Sequence, residues 1–169
     1  MKHAALMGLS LLLAGCGYTL SSSPYGLMEP LTLSVPVAAN QSRYGDLGPR
    51  LTREVIGRLD SSSNVTVREE APATLRLTIT RVSISGGAWI PDRNEYDLPT
   101  ASASRVISLS VMAVLEKEDA PAKRQAFTGY HTFYINEDEN QTRVLEEEAL
   151  TWVLADLAQK ITQSLFSEF

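Results

Sequence analysis

The sequence predicts an α+β fold, a two-layer sandwich. A mixed, mostly antiparallel sheet of four or five strands carries two helices on one face. Three observations predict it. Apolar residues alternate with polar ones along several segments, as in strands buried on one side. Two other segments repeat apolar residues every three or four positions, as in helices with one buried stripe. The order is strand, helix, three or four strands, helix, which suits two helices over an antiparallel sheet.

The first strand is expected from Leu31 to Val37, with Leu31, Leu33, Val35 and Val37 on one face. Pro36 cannot donate to a ladder, so the strand is an edge or ends there. Ala38 to Ser42 reads as a polar loop. The first helix runs from about Leu47 to Leu59, where Leu47, Leu51, Val55 and Leu59 recur every four residues, with Ile56 beside them. Asp46 is placed to cap it, and Pro49 is tolerated in its first turn. Ser61-Ser62-Ser63-Asn64 stops it, and Val65 to Arg68 adds a brief strand. A strand before this helix and a later strand can form a crossover unit around it.

Three long strands follow. Leu75, Leu77 and Ile79 share a face, then the phase shifts to Val82 and Ile84, which predicts a bulge near Arg81. Gly86 to Ser102 reads as a long connection rich in Gly, Pro and Asp, and it carries Trp89. Ile107, Leu109, Val111, Ala113 and Leu115 line the next strand. A turn at Asp119 to Ala122 leads to the last strand, with Phe127, Gly129, His131, Phe133 and Ile135 on one face. The final helix runs from about Thr142 to Phe166, striped by Leu150, Leu154, Leu157, Ile161 and Leu165. Glu146, Glu147 and Glu148 in its first turns would suit the helix dipole.

The start of the chain has the layout of a secretory leader. Lys2 supplies a positive charge, Leu6 to Leu13 an apolar run, and Leu13-Ala14-Gly15 precedes the single cysteine, Cys16. The run is shorter than the roughly 20 apolar residues that span a bilayer. Small residues before a lone cysteine resemble the lipobox of bacterial lipoproteins, which implies cleavage after Gly15 and a covalent lipid at Cys16. Acylation would also consume a thiol that is a liability in an oxidising compartment. Each buried methylene of such an anchor contributes about 0.8 kcal/mol. Gly17 stands where Asp is the usual inner-membrane retention signal, which favours the outer membrane. The expected organisation is leader 1–15, acylated tether 16–30 containing Ser21-Ser22-Ser23-Pro24, and one α+β domain 31–169.

Composition excludes several functions. The formal charge is -5, and 44% of residues are hydrophobic. An acidic domain of ordinary hydrophobic content is poorly suited to nucleic acid, which draws on a basic surface. No catalytic constellation emerges. His131 is the only histidine after the leader, and a lone strand histidine reads as structural. No Cys or His pair has zinc spacing. Glu137-Asp138-Glu139 lacks the alternating ligands and turn glycine of a calcium loop, and Gly86-Gly87 lacks the Lys and Ser/Thr of a phosphate loop. No cofactor is expected beyond the lipid at Cys16.

The uncovered sheet face is the other informative feature. Thr78, Thr80 and Ser83 from one strand, Ser108, Ser110 and Met112 from the next, and Thr128, Tyr130, Thr132 and Tyr134 from the last would share it. The expected face is hydroxyl-rich and nearly free of charge. Interfaces are enriched in Tyr and depleted in Lys and Glu, so this face is a candidate protein contact; a plain solvated face is the alternative. Arg93, Lys123 and Arg124 could meet phosphates.

Several residues together resemble the LptE family of lipopolysaccharide-assembly lipoproteins. These are Cys16-Gly17-Tyr18 after the leader, Val35-Pro36-Val37 followed by Asn40, the Leu-rich helix, and Ala73-Thr74-Leu75-Arg76-Leu77-Thr78-Ile79. In the last stretch Thr74 stands where Asp is commoner. The resemblance implies a subunit that plugs and helps assemble an LptD β-barrel at the outer membrane and contacts lipopolysaccharide, with no bond chemistry of its own. A periplasmic lipoprotein serving another envelope machine, such as a cell-wall synthase activator or a secretion-system lipoprotein, is the alternative.

Overall fold

The structure, a computed structural model, describes residues 31–62, 64–93, 99–135 and 138–167, and their side chains except those of 87–93, 99–103 and 165–167. Residues 1–30, where the leader and the tether with Cys16 are expected, and Glu137 lie outside the described residues. The elements are β1 (Leu31–Ser34), β2 (Ala39–Asn40), α1 (Leu47–Asp60), β3 (Val65–Val67), β4 (Ala73–Arg93), β5 (Pro99–Lys117), β6 (Ala120–Tyr134) and α2 (Glu139–Ser167).

One sheet of six strands holds them. Its order is β3-β1-β4-β5-β6, and β2 pairs with β4 further along. β1 is parallel to both β3 and β4, β2 is parallel to β4, and the long β4–β5 and β5–β6 pairs are antiparallel. The predicted crossover is present: β1 and β3 lie side by side, parallel, with α1 between them in sequence.

Both helices sit on one face because their stripes have one place to go. Leu47, Leu51, Val55 and Leu59 of α1 are fully buried, as are Leu154, Leu157 and Ile161 of α2 to within a percent. They form one cluster with Leu33, Leu75, Ile79, Ile107, Leu109 and Phe133 from the sheet. Fully burying each such side chain contributes about 1.5–3 kcal/mol. Thr52 ties the layers with a buried hydroxyl. It accepts the Ala38 N–H at 2.8 Å and donates to the Gly48 carbonyl at 3.0 Å. At Gly48 a Cβ would collide with the Ala38 carbonyl oxygen, so glycine lets the first turn of α1 lie on the chain that follows β1.

The structure corrects several expectations. β1 stops at Ser34, and Val37 is 67% exposed rather than sharing the buried face. Pro36 follows that end, as its missing N–H requires. Ala39–Asn40 pairs with β4 although nothing in so short a polar stretch alternates. These two residues carry the sheet past the expected four or five strands.

Gly86 to Ser102 is also not a free connection. β4 and β5 remain paired out to Arg93 and Pro99, with a register shift between Gly86 and Trp89. Main-chain pairing needs no apolar alternation, so the Gly- and Pro-rich composition hid it. The turn before β6 is tighter than expected, because Lys117 pairs with Ala120.

α2 begins at Glu139, one turn before the predicted start. Asp138 caps it: its side chain accepts the Asn140 N–H at 2.8 Å and its carbonyl accepts the Thr142 N–H at 3.0 Å. Glu146 to Glu148 therefore lie inside the helix, away from the N-terminal dipole. Asp46 precedes α1 but makes no cap bond with its side chain. Its carboxylate pairs with Arg50 at 3.3 Å instead.

Candidate functional site

The site is the sheet face that the helices leave uncovered. Its composition follows from strand periodicity. Leu75, Leu77 and Ile79 turn into the core, so Thr78 turns out. Ile79 pairs with Val111 and Arg81 with Ser110, which leaves Thr80 as the extra residue of a bulge. The bulge predicted near Arg81 is thus present. It restores Val82 and Ile84 to the core side, where both pack against the cluster.

Residues directly opposite on neighbouring strands share a face. Register therefore aligns rows across the uncovered face. Thr78 stands opposite Met112, and Met112 opposite Ala126. Ser83 stands opposite Ser108, and Ser108 opposite Tyr130. Val106 faces Thr132. The hydroxyls bond to one another and to the sheet: Ser110 Oγ and Thr128 Oγ1 are 3.3 Å apart, and Thr80 Oγ1 donates to the Ser110 carbonyl at 3.2 Å. Tyr130 and Tyr134 stand 71% and 52% exposed on β6. The structure thus brings together Thr78, Thr80, Ser108, Ser110, Thr128, Tyr130 and Thr132 on one surface.

That surface carries more charge than strand periodicity alone predicts. Arg81 stands opposite Ser110, and Arg76 and Arg124 both stand opposite Val114. Glu116 also belongs to this face and holds Arg76 at 3.0 Å. The bulge moved Arg81 onto the face; a strict period of two from Ile79 would have buried it. The phase shift from Ile79 to Val82 was the signal that could have found it.

The three basic candidates do not form one cluster. Arg124 lies on the uncovered face. Lys123 pairs with the buried Leu115 and so lies on the helix side, close to Lys117. The Lys117 ammonium is held below its ordinary pKa, first by burial and then by the Lys123 charge. Arg93 pairs with Pro99 at the far end of the hairpin, about 50 Å of strand from Val114. The side chains of Trp89 and Arg93 are outside the described residues.

His131 sits on the helix side of β6, half-buried, with its ring stacked on Trp152 of α2 at 6.2 Å and 12°. Among the described residues, no three His, Cys, Asp or Glu side chains gather as a metal site.

The family model for LptE, described as lipopolysaccharide-assembly, matches residues 31–166. This chain belongs to the LptE family. That span includes every described strand and nearly all of α2, so the match covers the fold and the uncovered face together. The family is an assembly component and not an enzyme class. No curated protein matches the chain in sequence.

Solved structures share the LptE-like fold. The rare lipoprotein B from Shewanella oneidensis superposes with a TM-score of 0.54 at 18% identity, over 80% of this chain and 94% of that one. A minor lipoprotein from Acinetobacter baumannii superposes with a TM-score of 0.51 at 14% identity, over 83% and 93%.

Proposed function

We propose that this LptE-family chain is an outer-membrane lipoprotein subunit of the lipopolysaccharide assembly complex. Residues 1–15 are the leader, Cys16 carries the lipid, and residues 16–30 tether the domain to the inner surface of the outer membrane. The domain plugs and helps assemble an LptD-like β-barrel and contacts lipopolysaccharide. The family match over residues 31–166 carries this reading. The lone cysteine after a leader-like run, and the word lipoprotein in the names of both structural neighbours, support the anchor.

The uncovered sheet face is the docking surface. The lumen of a barrel that passes a glycolipid is polar and wet, and a face of small hydroxyls and tyrosines suits it. Arg93 and Lys123, lying far apart, are candidate contacts for lipopolysaccharide phosphates, while Arg124 stands on the docking face itself.

The experiment is recovery of the full acylated chain from outer membranes, with mass spectrometry of what accompanies it. A heat-modifiable β-barrel in the eluate is expected, and Cys16→Ala should remove the chain from the membrane fraction. A chain that brings down a penicillin-binding protein and no barrel would replace this reading. Thr80→Arg with Thr132→Glu should cut barrel recovery; unchanged recovery would move the docking surface elsewhere.

A further inference from the structure

We infer that the uncovered sheet face docks on an acidic protein surface, with Arg81 and Arg124 reading its carboxylates. This rests on the reading of that face as the one that meets a barrel, and adds the charge of the partner's surface. The chain as a whole is acidic, at -5. Its acids are unevenly placed. On the described face of β4, β5 and β6 the charged residues are Arg76, Arg81, Arg124 and Glu116, and Glu116 is already engaged by Arg76 at 3.0 Å. Arg81 and Arg124 are left exposed and uncompensated on an acidic molecule, with no hydrogen bond or ion pair among the described residues.

The helix side is mixed in sign: α2 presents Glu147 and Glu148, both exposed, near Arg143, while Arg50, Arg53, Lys123 and Lys160 stand on the same side. On the sheet face the two charges left without a partner are both positive, so that face favours a negative surface.

The register separates the two guanidiniums. Arg81 lies opposite Ser110 and Arg124 opposite Val114, four residues apart on β5 and one strand to either side of it. Their backbones are roughly 16 Å apart, from about 3.3 Å per residue and 4.8 Å per strand. Between them lies an uncharged floor of Met112, Ala126, Ser110 and Thr128. Two separated charges flanking a flat neutral floor lie far enough apart to engage two different groups at once. They suit a broad surface that offers carboxylates at two places. Such pairs set orientation and speed of encounter, and they weaken with salt.

The test compares the full acylated chain with its Arg81→Glu/Arg124→Glu variant for recovery of the barrel from outer membranes. The inference expects about tenfold less barrel with the double variant. It expects wild-type recovery with Arg81→Lys/Arg124→Lys and with Arg143→Glu on the helix side, and unchanged circular dichroism throughout. If the double variant unfolds, Arg81→Gln and Arg124→Gln tested singly should each lower recovery and flatten its salt dependence. Wild-type recovery with the folded double variant overturns the inference while leaving the barrel reading intact. So does loss of binding to lipopolysaccharide vesicles with barrel recovery unchanged, which would assign the arginines to glycolipid phosphates. Failure of the wild-type chain to recover any barrel overturns the docking reading first, and this inference with it.

Discussion

Gly129 of β6 lies directly beneath Leu157 of α2: a Cβ at Gly129 would stand 3.0 Å from Leu157 Cγ, and 3.1 Å from Val153 Cγ1 and Asp156 Oδ2. The absent side chain is what lets the helix settle on the sheet at this point. Gly129→Ala should destabilise the domain by about 1–3 kcal/mol through overpacking. Urea unfolding followed by circular dichroism measures it, and a change below 0.5 kcal/mol would show that α2 shifts freely.

Thr52 is the second joint. Thr52→Val keeps the shape and deletes the oxygen that accepts the Ala38 N–H. A buried donor left unpaired costs about 1–3 kcal/mol. Thr52→Ser should recover most of that stability, which separates the lost hydrogen bond from lost packing. Chemical denaturation of both variants provides the comparison.

Tyr44 gives the domain an alkaline weakness. Its phenol donates to Glu146 at 3.2 Å, and its pKa is raised above 10.0 chiefly by burial and then by the Glu146 charge. The folded state holds the phenol proton more tightly than the unfolded chain does. The resulting stability is complete below pH 10 and is lost as pH rises through the folded value. Tyr44→Phe should remove this component, so its stability should fall less steeply above pH 10 than that of the wild type. Thermal melts from pH 8 to pH 11 test the difference in slope.

Arg50 clips α1 to α2, reaching Glu147 at 3.0 Å and Thr151 Oγ1 at 3.0 Å. Its partners are exposed, so Arg50→Ala should cost only about 0–1 kcal/mol, and less at high salt. A loss above 2 kcal/mol at 0.5 M salt would mean that this pair organises the helix layer rather than trimming it.

The His131–Trp152 stack is a structural contact. His131→Gln should leave barrel recovery unchanged and alter the emission of Trp152, read in a Trp89→Phe background because the chain has two tryptophans. Loss of barrel recovery with a folded His131→Gln protein would give this histidine a functional role.

Much of the fold was written locally. The stripe Leu47, Leu51, Val55 and Leu59 identifies a helix and its buried side without any neighbour, because helical periodicity is a property of the segment. The alternation in β5 does the same for a strand. The slip from Ile79 to Val82 even located a bulge. The hydroxyl face was legible for the same reason, since outward residues are simply those left over when the core set is removed.

What the sequence could not decide depended on pairing between distant segments. Ala39–Asn40 becomes a strand because β4 offers it an unpaired edge, and nothing in two residues announces that. Gly86 to Arg93 stays extended because main-chain hydrogen bonds to β5 hold it, and those bonds are blind to side-chain pattern. Arg124 and Lys123 are neighbours in sequence, yet strand geometry sends them to opposite faces. Arg81 joins Arg124 on one surface only through the register with Ser110 and Val114. By itself the chain determined which residues bury and which stay out. The tertiary structure decided which of the outward residues stand together, because that is set by hydrogen-bonded register across strands and not by the spacing of residues along any one of them.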